Sequence, residues 1–439
     1  MLNKMTHFQS RFFSISLFFL VFLFAHTSIA DTPWPWSPPD PEAAGFSKEG
    51  IAKLDAAMEK IVSDQDVAGM TWLLVKDGKV ATFETRGHAA LDQQRLLKKD
   101  SLFRIYSMTK PITGVALMIL HEQGLWDFDD PISKFIPEFA GLQVMTSYDD
   151  EGNVTLEPLQ RQPTMRELVN HSAGFGYGLG GSDPVNEKFR ETEVLNSADL
   201  DQLIERVADI PLMYQPGEQW RYSIAVDIQG YIVQKLSGQK YGDFLQENIF
   251  KPLGMRDTRF YVRPQDKHLF AEVHNWDEDK NSLVERPIRT DRPDYHDPNR
   301  LESGGGGLVS STHDYARFLQ MLVNGGEFAG KRIISEASVR QMRTNTLRDG
   351  LLMRQTDTNP GSPGVGFGVD FAVIFDPEAA ESPHGKGTYY WAGAAGTWFW
   401  IDPENDMFWV GMIQAQGARR PGAANMRNIA RDLIYDAMQ

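Results

Sequence analysis

The stretch RIYSMTKPITGVALMIL, residues 104–120, places a serine and a lysine three positions apart, directly before a long apolar run. Pro111 has no backbone N–H and is tolerated only in the first turn of a helix. A helix is therefore predicted to begin near Ser107 and to stop at Gly124. Residues 115–120 are apolar on every side, which is typical of a buried central helix.

Ser107 and Lys110 would share one face at the N-terminus of this helix. The free N–H groups and the positive helix end favour an oxyanion there, whereas the same field and burial disfavour a charged ammonium. Lys110 is therefore expected to be a neutral general base for the serine hydroxyl, in a turn made irregular by the following proline. The spacing alone is weak, because Ser237 and Lys240 repeat it after an amphipathic helix, where it indicates a turn.

The N-terminus predicts a secretory signal peptide over residues 1–30. It has a weakly basic start, an apolar core over residues 17–25, and small residues at Ser28 and Ala30 that indicate cleavage after Ala30. The apolar stretch is short for a bilayer, although an uncleaved N-terminal anchor is the alternative. We therefore expect a periplasmic or secreted protein without stable membrane insertion after cleavage.

The composition excludes several classes of function. The chain has 439 residues, no cysteine and a formal net charge of −15. The absence of cysteine excludes disulfides, thiolate metal sites and a cysteine nucleophile. The acidic charge argues against nucleic acid or anionic lipid as a partner. No metal-ligand cluster or cofactor motif is present, and His171 and His313 are expected to be structural.

Two strand hairpins are predicted, one near each end of the chain. Strand-like runs flank Asp77 and Gly78, which favour a tight turn, and aromatic runs flank residues 403–406. A helical pattern accompanies each hairpin, over residues 49–64 and 424–438. Both ends of the chain thus combine a hairpin with a helix.

The simplest assembly is a mixed α/β (α+β) fold. One antiparallel sheet would be built from both chain ends and flanked by helices, with a mainly helical region, about residues 105–300, inserted between them. Residues 31–43 form a proline-rich lead-in, and one domain is expected over residues 44–435.

Five motifs then occur in a recognisable order. SMTK is followed by TMRELVNHSAGF at residues 164–175, by WRYSIAVDIQGY around Tyr222, by GGGG at residues 304–307, and by YYWAGAAGTWFW at residues 389–400. This order resembles the serine β-lactamase and penicillin-binding-protein superfamily, closest to its class C β-lactamase-like branch and to family VIII carboxylesterases. The resemblance covers nearly all of residues 44–435 and implies a β-lactamase/transpeptidase-like fold.

The resemblance implies a role for each catalytic position. Ser107 would be the acylated nucleophile and Lys110 its activating base, while Tyr222 would relay protons with the lysine. The backbone N–H groups of Ser107 and Ala394 would form the oxyanion hole. No G-x-S-x-G motif occurs, so an α/β-hydrolase nucleophile is not supported.

The substrate-binding positions depart from the superfamily pattern. Ile224 stands where the second motif usually has asparagine, and Trp391, Ala392 and Gly393 stand where the third usually reads Lys-Thr-Gly. Residues 386–388, which read Lys-Gly-Thr, are set aside because the small residues and aromatic strand expected after the motif follow Trp391 instead. Without the lysine and threonine the site loses a carboxylate partner, which favours uncharged, more apolar groups and esters over penicillins.

These residues predict a serine hydrolase that cleaves short- to medium-chain esters of small molecules through an acyl-enzyme, without a cofactor. A β-lactamase or D-amino-acid peptidase is the alternative, and an amide hydrolase or acyltransferase is possible on the same scaffold. A non-catalytic cell-wall-binding module is a third hypothesis. It is disfavoured because such a module gains nothing from a buried lysine beside a serine.

Overall fold

The computed structural model of the protein describes residues 37–149, 151, 153–286 and 294–439. The predicted signal peptide, residues 1–30, lies outside these ranges, as do residues 31–36 of the predicted lead-in. Within the described ranges, no helix combines the length and the apolar character needed to cross a membrane.

The strands are mostly short. In chain order they are β1 Gly69–Lys76, β2 Lys79–Ala90, β3 Arg95–Leu96, β4 Leu102–Arg104, β5 Gln143–Tyr148, β6 Val154–Pro158, β7 His274–Asp277, β8 Ser282–Glu285, β9 Val309–Ser311, β10 Glu327–Phe328, β11 Lys331–Arg332, β12 Val365–Phe367, β13 Ala372–Ile374, β14 Tyr389–Ala392, β15 Trp398–Asp402 and β16 Met407–Met412.

The helices lie at both ends and throughout the middle. They are α1 Lys48–Ser63, α2 Lys110–Glu122, α3 Met165–Val169, α4 Pro184–Glu191, α5 Leu200–Ala208, α6 Ala225–Ser237, α7 Tyr241–Leu245, α8 Lys251–Leu253, α9 Thr312–Val323, α10 Glu336–Met342 and α11 Met426–Ala437. A one-turn 3-10 helix, Tyr106–Thr109, leads directly into α2.

One antiparallel sheet joins the two ends of the chain. Its strand order is β12-β13-β14-β15-β16-β1-β2-β3, so the last strand, β16, pairs with the first, β1, and Leu74 lies opposite Trp409. Asp77 and Gly78, with φ of 51° and 66°, make the tight turn between β1 and β2, and β15 and β16 form the second predicted hairpin. The predicted fold class is confirmed.

Helices cover both faces of the sheet. On one face, α1 and α11 belong to the same buried cluster as Trp72 and Trp398. On the other face, Tyr315 of α9 lies against Phe399 of β15, with ring centroids 5.5 Å apart. Trp398 and Phe399 are consecutive and therefore point to opposite faces, as the strand period requires. Each such side chain contributes roughly 1.5–3 kcal/mol when it is fully buried.

The middle of the chain is mainly helical, with two hairpins that the sequence did not predict. Helices α2 to α8 lie here together with long loops, but β5 pairs with β6 and β7 pairs with β8. Every residue of β6 is exposed. Val154 to Glu157 alternate apolar and polar residues as a strand does, but the run is short and buries neither face.

Helix α2 contains Lys110 and the apolar run that follows it. All residues from Lys110 to Leu120 are buried, and Gly124 follows the helix end with φ of 72°, so the predicted buried helix and its end are confirmed. The irregular turn lies earlier than predicted. Lys110 has ordinary helical geometry, with φ −55° and ψ −49°, and the residues before it form the 3-10 helix.

Candidate active site

Ser107 lies in the 3-10 turn at the entrance to α2 and lines a cavity of about 520 Å³. Tyr106, directly before it, has φ of 43°. A positive φ is uncommon for a bulky residue, and strain of this kind concentrates at functional sites. The short turn thus presents the serine to the cavity at the end of a buried helix.

Three residues predicted from the sequence meet at the Ser107 hydroxyl. Tyr222 Oη lies 2.5 Å from Ser107 Oγ, and Lys110 Nζ lies 3.4 Å from it. Lys110 Nζ is also 4.5 Å from the centroid of the Tyr222 ring. Lys110 has no exposed surface. The structure therefore brings a serine, a buried lysine and a tyrosine into one hydrogen-bonded cluster.

Lys110 Nζ has two further acceptors. It donates to the carbonyl oxygen of Gly305 at 2.6 Å and to Tyr177 Oη at 3.2 Å. With Ser107 Oγ these make three acceptors, which matches the three N–H bonds of an ammonium group. The geometry thus also suits a charged lysine beside Tyr222, whereas the sequence analysis considered only a neutral base.

A polar network that the sequence did not predict lies next to Lys110. Tyr177 Oη lies 3.4 Å from Asp227 Oδ2, and the same carboxylate accepts hydrogen bonds from the Ser303 hydroxyl and from the Gly305 N–H. Burial raises the pKa of Asp227, while the charge of Lys110 and these hydrogen bonds act in the opposite direction. The one available signal was an aspartate among apolar residues in the first turn of helix α6.

The glycine run at residues 304–307 packs against this network. A Cβ atom on Gly304 would lie 2.5 Å from the carbonyl oxygen of Val226, and one on Gly305 would lie 2.3 Å from Asp227 Oδ2. Only glycine therefore allows the backbone to approach closely enough for the Gly305 carbonyl to reach Lys110. The glycine run thus forms a tight turn beside the site.

Strand β14 ends beside the nucleophile. The N–H of Gly393 donates to the carbonyl oxygen of Thr397 at 2.8 Å. A Cβ atom on Gly393 would lie 2.4 Å from the carbonyl oxygen of Ile105, so the strand end and the start of the 3-10 turn are in close contact. Ala394 and Ser107, the two residues predicted to supply oxyanion-hole N–H groups, line the same cavity.

The residues predicted to bind substrate lie near the site but are not among those that line the cavity. Trp391 packs on Tyr222, with ring centroids 5.6 Å apart, and its indole N–H is buried. Trp391, Ala392 and Gly393 are not among the residues that line the cavity. Ile224 is completely buried. Trp391 therefore packs beside the site tyrosine, and substrate contact by these four residues stays a prediction.

His171 accepts hydrogen bonds from the backbone on both sides of Tyr222. Its carbonyl oxygen accepts the Arg221 N–H at 3.1 Å, and its Nδ1 accepts the Ser223 N–H at 3.2 Å. Its ring lies 5.1 Å from the Tyr222 ring. Burial, reinforced by the charge of Lys110, holds the pKa of His171 well below its usual value. His171 is thus a neutral, structural histidine, as predicted.

His313 is structural as well. Its ring packs edge-on against Phe83, with centroids 5.0 Å apart, and burial lowers the pKa of His313 to about 4. Among the described residues, no group of three or more His, Cys, Asp or Glu side chains is arranged to hold a metal ion.

The cavity beside Ser107 has the size of a small-molecule site. Its lining is part apolar and part charged. The apolar side chains are Leu179, Leu195, Val273 and Leu301, and the charged ones are Arg104, Glu272, Arg286, Asp294 and Arg300.

Comparison with known proteins matches the whole of this architecture. The sequence profile of the family described as Beta-lactamase matches residues 54–433. Protein Rv1367c of Mycobacterium tuberculosis is 31% identical over 344 residues, which cover 77% of this chain and 84% of that protein. Esterase EstB of Burkholderia gladioli is 28% identical over 370 residues, which cover 81% of this chain and 88% of the esterase.

A solved structure shares the fold. EstCE1, described as a hydrolase with promiscuous acyltransferase activity, superposes with a TM-score of 0.70 at 23% sequence identity. The match covers 88% of this chain and 99% of that structure. Similarity at this level of identity establishes the common fold.

Proposed function

Since this chain belongs to the beta-lactamase family, we propose that it is a serine hydrolase that cleaves short- to medium-chain carboxylic esters through an acyl-enzyme on Ser107. The observation that carries the proposal is the cluster at the serine hydroxyl, where Tyr222 Oη lies at 2.5 Å and Lys110 Nζ at 3.4 Å on the wall of a cavity. The similarity to esterase EstB supports the choice of esters.

In the acylation step, Ser107 Oγ attacks the carbonyl carbon of the ester. The pair of Tyr222 and Lys110 takes up the serine proton, because Tyr222 Oη lies 2.5 Å and Lys110 Nζ 3.4 Å from Ser107 Oγ. The tetrahedral oxyanion accepts hydrogen bonds from the backbone N–H groups of Ser107 and Ala394. When this intermediate collapses, the ester C–O bond breaks, the proton moves to the departing alcohol, and the acyl group remains on the serine.

In the deacylation step, water replaces the alcohol. A water molecule attacks the acyl carbon and gives one proton to the pair of Tyr222 and Lys110, while the same N–H groups stabilise the oxyanion. The bond from the acyl carbon to Ser107 Oγ breaks and the serine recovers its proton. A carboxylic acid is released, and the enzyme returns to its initial state.

The third motif supports esters over β-lactams. Trp391 and Ala392 replace a lysine and a threonine that would hold a carboxylate close to the serine. Trp391 instead packs on Tyr222, so this side of the tyrosine is apolar. Ile224, in place of an asparagine, offers no amide to a peptide-like side chain.

The proposal includes export and a domain assignment. Residues 1–30 would be a signal peptide cleaved after Ala30, which would give a periplasmic or secreted enzyme. After the lead-in at residues 31–43, the hydrolase domain would span residues 44–435, with the helical subdomain at about residues 105–300.

Detection of the acyl-enzyme by intact-mass spectrometry tests the proposal directly. The protein would be mixed with 4-nitrophenyl acetate, butyrate and octanoate, with nitrocefin, and with a D-alanyl-D-alanine peptide. We expect an adduct of the acyl mass with the butyrate, mapped to Ser107 by peptide analysis, and none in Ser107→Ala.

The other outcomes separate the alternatives. Faster turnover of nitrocefin or of the D-peptide than of any ester would favour the β-lactamase or peptidase hypothesis. Product ester formed when an alcohol is added would show acyl transfer. A folded protein that forms no adduct with any substrate, or with a fluorophosphonate probe, would indicate a non-catalytic binding module.

A further inference from the structure

The cavity beside Ser107 contains more positive charge than a neutral ester requires. Three arginines line it, Arg104, Arg286 and Arg300, against two carboxylates, those of Glu272 and Asp294. The full chain is acidic, with a formal net charge of −15. Arginines that line a cavity of an acidic protein create a local positive potential, which acts on a ligand bound in that cavity.

Two of the three arginines are engaged within the protein. The guanidinium of Arg104 stacks 3.9 Å from the centroid of Phe270, donates to the carbonyl oxygen of Ala271 at 2.6 Å, and lies 3.7 Å from Glu272. Arg300 donates to two backbone carbonyls, at 2.9 and 2.7 Å. These arginines therefore shape the cavity wall and have little capacity left for a ligand.

Arg286 is held differently. Its backbone N–H donates to the carbonyl oxygen of Val273 at 2.8 Å, and its Nη1 donates to Gln416 Oε1 at 2.9 Å. Gln416 is in turn fixed by its own N–H, which donates to the carbonyl oxygen of His274 at 2.9 Å. Among the described residues, the guanidinium has one hydrogen-bond acceptor, the neutral amide of Gln416, and no carboxylate in an ion pair with it. Its positive charge is thus oriented without a counter-charge from these residues.

The carboxylates of the cavity do not compete for Arg286. Glu272 lies next to Arg104, and one oxygen of Asp294 accepts the N–H of His296 at 3.0 Å. Gly417, beside Gln416, also lines the cavity and adds no side chain there. A ligand can therefore approach the half-buried guanidinium from the cavity.

We propose that Arg286, positioned by Gln416, binds a carboxylate that the ester substrate carries away from its scissile bond. A planar guanidinium suits a planar carboxylate because two parallel N–H···O bonds can form. The inference rests on the proposed function and refines it. Trp391 removes a carboxylate partner beside the site tyrosine, and Arg286 supplies one from the wall of the cavity.

Matched substrates test this inference. The 4-nitrophenyl monoester of adipic acid carries a carboxylate, and the 4-nitrophenyl ester of adipamic acid is its neutral isostere. We expect wild-type kcat/KM for the acid to exceed that for the amide by roughly ten-fold or more, the range of charge-assisted hydrogen bonds. Arg286→Gln should bring this ratio close to one, and Arg286→Lys should restore part of it.

Two further comparisons sharpen the test. Arg340→Gln removes the same charge from an exposed position on α10, outside the cavity, and should leave the wild-type ratio intact. A second pair, 3-carboxyphenyl butyrate and 3-carbamoylphenyl butyrate, places the carboxylate on the alcohol. The pair with the larger ratio identifies the side of the ester that reaches Arg286.

The outcomes distinguish this inference from the function on which it rests. Equal rates for acid and amide in both pairs, or a ratio that survives Arg286→Gln, would overturn the role of Arg286 while ester hydrolysis stands. Faster turnover of a trimethylammonium analogue than of the acid would overturn it in the same way. No turnover of any ester would remove both proposals. Because each ratio is measured within one variant, partial unfolding of a variant cancels.

Discussion

Two serine–lysine pairs in this molecule have the same spacing and different surroundings. In the pair Ser107 and Lys110, the lysine has no exposed surface and its Nζ contacts three acceptors. In the pair Ser237 and Lys240, the lysine side chain is 56% exposed and forms an ion pair with Glu302 at 2.8 Å. The spacing of serine and lysine alone therefore does not identify a catalytic site.

The difference lies in what surrounds each lysine. Helix α6 ends at Ser237, whose hydroxyl accepts the Gln239 N–H at 3.2 Å, as in an ordinary turn. Helix α2 begins at Lys110 and is buried by groups from distant parts of the chain, among them Tyr177 and Gly305. A buried amine held against a serine has few roles other than proton transfer, whereas an exposed one is a solvated charge.

The largest contrast is expected when each serine is removed. Ser107→Ala deletes the proposed nucleophile and should lower kcat/KM for 4-nitrophenyl butyrate by at least about a thousand-fold. Ser237→Ala deletes a hydroxyl that caps a turn and should leave the rate within about two-fold. Steady-state hydrolysis assays on both purified variants make the comparison. Comparable losses in the two variants would show that the contrast is wrong.

Removing each lysine should produce the next largest difference. Lys110→Met keeps the length of the side chain and deletes the amine, so kcat should fall roughly a hundred- to ten-thousand-fold through loss of proton transfer. Lys240→Met removes an ion pair whose lysine is 56% exposed, so stability should fall by roughly 1 kcal/mol and kcat should not change. The two kcat values and the two unfolding midpoints measure this, and a Lys110→Met enzyme with wild-type kcat would contradict the assigned role.

The sequence was sufficient to predict Ser107, Lys110 and Tyr222, which the structure brings into contact. Pro111 and the apolar run located the helix start and its burial, and Tyr222 was identified by its motif. These features are local, because each depends on residues adjacent in the chain. The antiparallel sheet was predictable for a similar reason, since the hairpin turn at Asp77 and Gly78 is encoded by adjacent residues.

What the sequence did not yield depends on contacts between distant segments. Tyr177 and Asp227 are 50 residues apart, and nothing local indicates that their hydroxyl and carboxylate meet below Lys110. Trp391 was assigned to substrate binding by its motif, yet the direction of its side chain, against Tyr222, depends on how β14 packs. The position of Arg286 in the cavity wall could likewise not be predicted from the sequence.

Adding one methyl group beside each pair tests the role of packing. In Gly305→Ala the new Cβ would lie 2.3 Å from Asp227 Oδ2, so the backbone must shift and its carbonyl must move away from Lys110. We expect a loss of roughly a hundred-fold in kcat, typical of a displacement near 1 Å, and a destabilisation of about 1–3 kcal/mol.

Gly238→Ala is the matched control. Gly238 has φ of 68° with open space around it, so the substitution should cost roughly 1 kcal/mol of backbone strain and leave kcat unchanged. Urea unfolding and initial rates on both variants measure the two effects. If Gly305→Ala were no more harmful than Gly238→Ala, the close approach at Gly305 would not support Lys110.

The smallest effect is expected at His171, which acts on the reactive pair only through Tyr222. His171→Ala removes the acceptor for the Ser223 N–H, and kcat should fall about ten-fold, the cost of an unpaired buried donor, with little change in KM. His171→Asn supplies a side-chain oxygen and tolerates the left-handed backbone at φ of 63°, so it should recover part of the loss. Equal loss in both variants would indicate that His171 serves only to fill space.

The pH dependence of stability provides an independent measurement on the same residue. Burial and the charge of Lys110 hold the pKa of His171 well below 6.5, so below that pH the unfolded chain takes up a proton that the folded chain does not. The stability contributed by neutral His171 is therefore present above pH 6.5 and is lost at lower pH, by about 1.4 kcal/mol per pH unit. Urea unfolding at pH 7.5 and 5.5 should show a smaller pH effect in His171→Asn than in the wild type, whereas His268→Asn, at an exposed histidine, should match the wild type. An identical pH effect in all three proteins would show that His171 takes up a proton in the folded protein. The site would then contain a charged imidazole next to Tyr222.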